Sequence, residues 1–466
     1  MQAKNIFSNS SNFLAKISWL GASSIIKYIV QIITIILFAN KLSVKDYASY
    51  QHVWIVINLF CTIIPFGLSA LLLNVNTGAI KNWIFTNKQI VITSVIVGII
   101  ALLFYLFFIM SNFENTEKVF LFLFIIIQII TLIGEAILTK QGKEKTIFWI
   151  NTFYFIAYLL LHYFIVIKFY NLATLLLGLI IITIVKAFFL FMLKNRIEKI
   201  IEEDKTISKE WIYLGTNDLL NTIVKWLDKW IILWLWPTAS FAVYFNGTYE
   251  IPIFLLLLGA VGSVSIVEIS KLKLEENQAI LQLFKKPVLT LATILLPSFA
   301  FLFCNASYLF EFLFSNKYNE SVPIFLITLL ILPARVVYST SVLQVFGKSK
   351  IIVQGVIIDL LLAIFFMAIL YPSIGIKGFA LAFVLSTYIQ IFYYLWHTSR
   401  LLRLKFSKLL PFSSILIILI LSIVFASSLF ALTTKLPHLY ALMINSFGCI
   451  FNIIVIYFLF AKAKNN

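Results

Sequence analysis

Ionisable side chains interrupt two strongly apolar segments between Trp211 and Ile269. Both signs of charge occur there, at Asp218, Lys225, Asp228, Lys229, Glu250 and Glu268. A charge near the centre of a bilayer costs at least about 2.5–3.5 kcal/mol, so several in one region indicate an internal polar cavity or a network of ion pairs. Such a cavity could bind an ion or a charged substrate inside the membrane.

The first of these segments places its charges on shared helix faces. Lys225 follows Asp218 by seven residues and precedes Asp228 by three and Lys229 by four. Residues at these spacings lie on one side of a helix. One interpretation pairs Asp228 with Lys225, which would fix the helix in register. Another leaves a surplus lysine to bind an anionic substrate, and the two are compatible if the pair exchanges partners.

Three further basic residues lie inside apolar segments: Lys27 in the first, Lys186 in the sixth and Arg335 in the tenth. Lys186 is about two turns from a segment end, so its side chain is expected to extend to the membrane surface. Lys27 and Arg335 lie near the middle of their segments, where such an extension is harder. We therefore expect both to face a polar cavity formed by the two halves of the chain.

The remaining acidic residues of the apolar segments divide by depth. Glu135 and Glu268 lie near segment ends and are expected at the interface. Asp359 is central in the eleventh segment, and Glu250 precedes a bend expected at Pro252. Either Asp359 or Glu250 could bind a proton or a sodium ion, because desolvation favours the neutral carboxyl. The alternative is that each is a counter-ion to Arg335 or Lys27.

The composition is that of a polytopic membrane protein. Of the 466 residues, 62% are hydrophobic and 12% charged, far from the values of soluble domains. Helices are expected in the apolar segments, because lipid offers no partner to backbone groups and the alternation of barrel strands is missing. Fourteen segments are expected to span the membrane: 17–39, 50–73, 89–110, 119–139, 147–167, 172–193, 211–235, 241–269, 288–310, 323–345, 351–370, 375–396, 409–432 and 439–461.

The distribution of basic residues predicts the orientation of these spans. The net charge of +17 would suggest nucleic-acid binding in a soluble chain. Here most of the lysines and arginines fall in alternate loops, which predicts that both termini are cytoplasmic and that no nucleic acid is bound. The four histidines have no metal-ligand spacing and the three cysteines lie inside apolar segments. We therefore expect no metal and no disulfide framework.

Two short motifs recur in the second half of the chain. Gly142–Lys145 corresponds to Gly347–Lys350, and Tyr47–Tyr50 corresponds to Phe241–Tyr244. Recurrence in the same order six spans apart predicts a parallel repeat about an axis along the membrane normal. The expected organisation is an N-terminal six-helix lobe at 1–193, a cytoplasmic connector at 194–210, a C-terminal six-helix lobe at 211–398 and two peripheral transmembrane helices at 399–466.

Several runs resemble the polysaccharide and oligosaccharide flippases of the multidrug/oligosaccharidyl-lipid/polysaccharide exporter superfamily, which include Wzx-type O-antigen flippases and lipid II flippases. The resemblance extends over nearly the whole chain. It rests on Asp228–Ile232, Ala242–Tyr244, Leu313–Tyr318 with Ser315 at a usual glycine, Phe346–Lys350 and Gly375–Ala380. Their order and spacing together are more specific than any one run.

The resemblance implies a V-shaped, two-lobed exporter rather than an enzyme. Its expected substrate is an undecaprenyl-diphosphate-linked oligosaccharide, an O-antigen or capsule repeat unit. Alternating access would move this lipid from the cytoplasmic to the periplasmic leaflet of a bacterial inner membrane. No resident cofactor is expected, but coupling to protons or sodium ions is. The expected partners are the lipid bilayer, a polysaccharide polymerase and a chain-length regulator. The diphosphate is expected to bind Lys27, Lys225, Lys229 and Arg335, with Asp218, Asp228, Glu250 and Asp359 in coupling or ion pairs.

Two other functions remain as alternatives. A cation-coupled multidrug exporter of the same fold would need an acidic or aromatic pocket for organic cations, and the central basic residues argue against it. A membrane glycosyltransferase or polymerase would be expected to place catalytic residues on a sizeable external loop. The loops between the expected spans are short, so this alternative is disfavoured.

Overall fold

Helices account for nearly all of the regular structure of this chain. The computed structural model describes residues 2–74, 84, 87–110, 112–168, 170–193, 207–337 and 339–462, and no strand occurs in those ranges. Residues 194–206 of the predicted connector lie outside the described residues. The all-helical membrane fold predicted from the apolar segments is confirmed, since only helices satisfy their backbone groups locally in lipid.

The chain divides into two compact units, Met1–Trp226 and Leu227–Asn466. The predicted lobe boundaries stay predictions. The described helices of the first unit are α1 Gln2–Lys41, α2 Val44–Ile63, α3 Leu68–Asn74, α4 Lys88–Phe104, α5 Asn115–Lys140, α6 Glu144–Lys168, α7 Leu172–Met192 and the beginning of α8 Ile207–Leu235.

The second unit continues from the end of α8. Its described helices are α9 Thr238–Gly247, α10 Pro252–Ile269, α11 Asn277–Phe314, α12 Ser321–Leu329, α13 Ile331–Ala334, α14 Ser341–Val345, α15 Ser349–Ile374, α16 Lys377–Leu401, α17 Phe406–Leu409, α18 Phe412–Thr433 and α19 His438–Tyr457. Pro252 is the first residue of α10, where proline needs no backbone donor, so the bend expected there is a break between two helices.

Within the described ranges, 11 helices are long and apolar enough to cross a membrane. Three of the fourteen expected segments have no counterpart among these, and a fourth, 241–269, is divided into α9 and α10, of which only α10 is counted. Segment 50–73 is divided into α2 and α3, segment 211–235 corresponds to the charged helix α8, and segment 323–345 is divided into α12, α13 and α14. Apolarity alone did not predict these breaks, because it is insensitive to backbone turns within an apolar stretch.

The repeated glycine–lysine motifs form the same turn in the two units. Gly142 has φ 70° and Gly347 has φ 67°, the left-handed region that favours glycine. The next residue closes the turn in each case, since Lys143 N donates to Leu138 O at 3.0 Å and Lys348 N donates to Leu343 O at 2.8 Å. These are helix C-caps of the Schellman type. Their shared geometry supports the predicted repeat.

The second pair of repeated motifs also occupies equivalent positions. Tyr47 is the fourth residue of α2 and Phe241 the fourth residue of α9, and both are fully buried. One turn later, the hydroxyl of Tyr50 lies 3.2 Å from the hydroxyl of Tyr158, and that of Tyr244 donates to Asp228 at 2.8 Å. Each motif therefore holds the beginning of its helix against a neighbouring helix of the same unit.

The last two membrane-spanning helices are attached to α11 by buried amide groups. The side-chain nitrogen of Asn445 donates to Asn305 Oδ1 at 2.7 Å and to Thr433 Oγ1 at 3.0 Å. Such hydrogen bonds hold helices together in lipid, where the hydrophobic effect gives little help. Other side chains of α18 and α19 are apolar and exposed, with Leu432 at 79% and Phe447 at 69%. This arrangement fits the predicted lipid-facing helices.

Ser315 has a backbone conformation that a side chain disfavours. It follows α11 with φ 61° and ψ 172°, a region used almost only by glycine. Its buried hydroxyl has no hydrogen-bond partner within the described part of the chain. The flippase-like motif usually has glycine here, and the geometry explains why.

We expect Ser315→Gly to raise the free energy of unfolding by about 0.4–1 kcal/mol, because it removes the steric strain of the Cβ atom. The measurement is the thermal unfolding midpoint of the purified protein in detergent. Ser427→Gly is the matched control, since Ser427 lies within α18 and glycine in a helix interior is destabilising. Equal shifts for the two variants would contradict the strain argument.

Candidate functional site

A cluster of charged side chains lies within the first unit. Lys27 on α1 interacts electrostatically with Glu135 on α5, Lys186 on α7 and Lys225 on α8. Lys27 is itself exposed, yet charged groups from three other helices surround it. That Lys27 faces a polar cavity stays a prediction.

Glu135 and Lys186 form an ion pair in this cluster. Their Oε1 and Nζ atoms are 2.7 Å apart, and the side chain of Lys186 is only 6% exposed. The Lys186 ammonium also lies 4.6 Å from the centre of the Tyr154 ring, within cation–π range. The prediction that Lys186 extends to the membrane surface was wrong, because the carboxylate and the aromatic ring stabilise its charge in place. Glu135, expected to be merely interfacial, is its partner.

The other ionisable residues of α8 in this unit are more accessible. Lys225 is exposed, and its ammonium lies 5.4 Å from the centre of the Trp226 ring. Asp218 is partly exposed and lies two turns before Lys225 on the same helix. The ring beside Lys225 offers a face that favours a cation. Among the described residues, the charged groups that act on Lys27 are the carboxylate of Glu135 and the ammonium groups of Lys186 and Lys225.

In the second unit, Asp228 links the end of α8 to α9. Its carboxylate accepts a hydrogen bond from the Tyr244 hydroxyl at 2.8 Å and lies 3.3 Å from Lys229 Nζ. The sequence interpretation paired Asp228 with Lys225, whereas the structure gives it Lys229 and Tyr244. Asp228 is 4% exposed, so a charged hydrogen bond here contributes more than one at the surface. The Asp–Lys run of the flippase-like motif therefore has a structural role.

Arg335 and Glu250 form a second ion pair in this unit. The Arg335 Nη2 atom contacts Glu250 Oε1, and the two side chains are 21% and 25% exposed. Glu250 lies between α9 and α10, and Arg335 follows α13 before α14 begins. Both residues therefore occupy helix breaks. Of the roles considered for Glu250, the counter-ion of Arg335 is the one observed.

Asp359 is buried without an opposite charge. It lies on α15 with 3% exposure. Its Oδ1 atom has no hydrogen-bond partner, and no ion pair includes Asp359 in the part of the chain that the structure describes. A carboxylate in such a place is costly when charged, and protonation removes that cost.

No group of three or more metal-ligating side chains occurs among the described residues. The histidines illustrate the reason. His162 lies 3.2 Å from the Tyr50 hydroxyl and 2.8 Å from the Tyr158 carbonyl, and His438 is paired with Glu311 at 2.6 Å. These are contacts of packing and ion pairing rather than of metal ligation.

Comparison of the sequence with protein families gives one match, to the polysaccharide biosynthesis protein family, over residues 18–323. The chain belongs to this family. The matched region includes every charged residue of the candidate site except Arg335 and Asp359. A comparison with curated proteins gave no significant match.

Solved structures show the same fold. The lipid II flippase MurJ in an inward closed conformation has 15% sequence identity and a TM-score of 0.68, with 96% of this chain and 99% of that chain covered. An inward-facing MATE multidrug resistance transporter of the MOP superfamily has 14% identity, a TM-score of 0.56 and coverages of 80% and 94%. A MOP superfamily transporter from Pyrococcus furiosus, described by the reverse polarity of its binding pocket, has 13% identity, a TM-score of 0.54 and coverages of 83% and 95%.

The comparisons confirm the resemblance found in the sequence motifs. The protein has the fold of the MOP superfamily and is a multi-pass membrane protein. At these low identities a structural likeness establishes the fold alone. Any function beyond the fold has to be argued from the side chains of this chain.

The Arg335–Glu250 pair should show energetic coupling. Arg335→Met and Glu250→Gln each remove one partner of a partly buried ion pair, so both should lower the thermal unfolding midpoint. The double variant should lose less stability than the sum of the two single losses, with a coupling energy of about 0.5–3 kcal/mol. The exposed pair Lys271–Glu268 is the matched control, with an expected coupling below about 1 kcal/mol. Strictly additive losses for Arg335 and Glu250 would show that the pair does not form.

Proposed function

We propose that this protein is a flippase that moves a lipid-linked oligosaccharide from the cytoplasmic to the periplasmic leaflet of a bacterial inner membrane. Three findings support the proposal: the polysaccharide biosynthesis family, the fold of a lipid II flippase, and the lysine cluster of the first unit. The cluster is the observation on which the substrate assignment depends. Both termini are proposed to be cytoplasmic, in agreement with the distribution of basic residues.

The charges of the cluster suit a diphosphate. Lys27, Lys186 and Lys225 contribute three positive charges to this cluster, and Glu135 contributes one negative charge. A diphosphate that links a prenyl chain to a sugar has two negative charges at neutral pH. Charge-assisted contacts between ammonium groups and phosphate oxygens are among the stronger hydrogen bonds. We therefore propose undecaprenyl diphosphate as the lipid, and an O-antigen or capsule repeat unit as the glycan.

The physical problem that such a protein solves is the transfer of polar groups through hydrocarbon. A glycan and a diphosphate cannot cross unaided because their desolvation is costly, whereas the prenyl chain can stay in lipid. A conformational change that exposes the bound head group to each side in turn would complete the transfer. A polysaccharide polymerase and a chain-length regulator are the proposed partners that use the delivered substrate.

Lys229 and Arg335 were also expected to bind the diphosphate. Each has a carboxylate neighbour in the second unit, Asp228 for Lys229 and Glu250 for Arg335. We propose that they contribute by exchange, in which a phosphate replaces the carboxylate at the cation. Lys27 and Lys225 remain the principal proposed ligands, since both are exposed within the cluster.

A multidrug exporter is the alternative, because a MATE transporter has the same fold. Organic cations would be repelled by three lysines with one carboxylate among them. The lysine cluster therefore favours the anionic lipid. The proposal includes no catalytic residue.

Lys27→Ala and Lys225→Ala should each abolish surface polysaccharide in a cell that depends on this protein, because each removes a phosphate ligand. The purified variants in lipid nanodiscs should bind an undecaprenyl-diphosphate-linked sugar at least about tenfold more weakly, the loss of one charged hydrogen bond. Lys435→Ala is the control, since Lys435 is exposed between α18 and α19. Full export and unchanged affinity in both variants would refute the proposed diphosphate site.

We propose further that a proton bound by Asp359 couples transport to an ion gradient. The carboxyl is buried, and one of its oxygen atoms has no hydrogen-bond partner in the described part of the chain. A proton satisfies such a group, whereas a sodium ion would need several more oxygen ligands. Glu250 and Asp228 are less suited because each contacts a basic residue.

Asp359→Asn should remove the response of transport to an imposed pH gradient, because the amide keeps the shape of the carboxyl but cannot exchange the proton. The measurement is head-group translocation in proteoliposomes with a proton gradient, a sodium gradient or neither. Glu275→Gln serves as the control, since Glu275 is an exposed carboxylate between α10 and α11. An Asp359→Asn variant that responds to pH as the unmodified protein does would disprove this coupling.

A further inference from the structure

Glu135 is the accessible member of its ion pair. Its side chain is 27% exposed, whereas that of Lys186 is 6% exposed and lies against the Tyr154 ring. Glu135 also interacts electrostatically with Lys27, which is exposed. Of the two charged groups of this pair, the carboxylate of Glu135 is therefore the more accessible to a ligand near Lys27. The sequence-based assignment gave Glu135 no role beyond the interface.

The position of Glu135 has a direct consequence for any anion bound in the cluster. A negative ligand held by Lys27 lies within electrostatic range of the Glu135 carboxylate, and like charges repel. The repulsion scales with the product of the two charges, so it is about twice as large for a dianion as for a monoanion at the same place. Glu135 must then lower the affinity for the very ligand that the lysines attract.

A carrier needs such a limit on affinity. Its site has to bind strongly enough for the substrate to enter and weakly enough for it to leave. Three lysines without a compensating charge would retain a diphosphate tightly, since each added charged contact strengthens binding. Pairing with the buried Lys186 holds the carboxylate in place without removing it from the cluster.

We propose that Glu135 is a positioning residue that sets substrate release, a resident carboxylate that keeps the lysine cluster from trapping its anionic substrate. This inference rests on the proposed flippase function. It adds a prediction that the function alone does not make, namely that removal of an acidic residue strengthens binding while it slows export. A residue that only holds the fold together would weaken both.

The test uses the full chain in nanodiscs, with the Glu135→Gln variant. Two lipids serve as probes: phosphatidylglycerol, with one negative charge, and an undecaprenyl-diphosphate-linked monosaccharide, with two. We expect affinity to rise about tenfold for the first and about a hundredfold for the second, because the removed repulsion is twice as large. Export of surface polysaccharide should fall at the same time.

A charge-balanced variant separates electrostatics from damage to the fold. Glu135→Gln combined with Lys186→Gln removes one charge of each sign, so affinity should return to within about threefold of the unmodified protein. If the single variant does not fold, the same carboxylate is removed in the Lys186→Gln background, and the double variant should bind more tightly than Lys186→Gln alone. Glu268→Gln, which breaks the exposed pair with Lys271, is the control and should leave affinity unchanged.

The outcomes distinguish this inference from the function on which it rests. If the unmodified protein binds the diphosphate lipid, Lys27→Ala loses that binding, and Glu135→Gln leaves affinity unchanged or weaker, the release role is disproved and the flippase function stands. Equal gains in affinity for the two lipid probes would also disprove the release role, because the gain would then not depend on the charge of the ligand. If the unmodified protein prefers neither anionic lipid over phosphatidylcholine, the proposed substrate fails, and the release role fails with it.

Discussion

The desolvation cost of a charge inside a membrane determines how this protein is built. Every ionisable group that an apolar segment contains needs an opposite charge, a hydrogen-bond donor or a water-accessible cavity. Three ion pairs in the described residues meet this need: Lys186 with Glu135, Lys229 with Asp228, and Arg335 with Glu250. Lys186 and Glu135 lie on different helices, and Asp228 accepts a hydrogen bond from Tyr244 of another helix. These contacts therefore also stabilise the packing of the helices.

The same constraint explains where the helices break. Backbone groups freed by a break cannot face lipid, so irregular backbone at membrane depth occurs where protein surrounds it or a cavity adjoins it. Glu250 lies between α9 and α10, and Arg335 lies between α13 and α14. Their ion pair therefore joins two interruptions rather than two continuous helices. Interrupted helices of this kind surround the binding sites of many transporters.

The two units differ in how their charged side chains are paired. In the second unit, each basic residue expected at the site has a carboxylate neighbour, and Asp359 is buried as an isolated carboxyl. In the first unit, three lysines have one glutamate among them. This excess of lysine over glutamate in the cluster underlies the proposal of an anionic substrate, within a fold that a MATE multidrug resistance transporter also has. The polysaccharide biosynthesis family and the flippase proposal agree with that excess.

The sequence by itself determined the helical membrane fold, the repeated turns at Gly142 and Gly347, and the family, because hydropathy, glycine geometry and short motifs are local properties. It also singled out Lys27 as a candidate site residue from its depth in the first segment. Only the tertiary structure decided which charges meet. Lys186 and Glu135 are separated by about fifty positions in the chain, and no spacing rule brings together side chains from different helices. Partner choice depends on how helices pack, and packing is a property of the whole unit rather than of any segment.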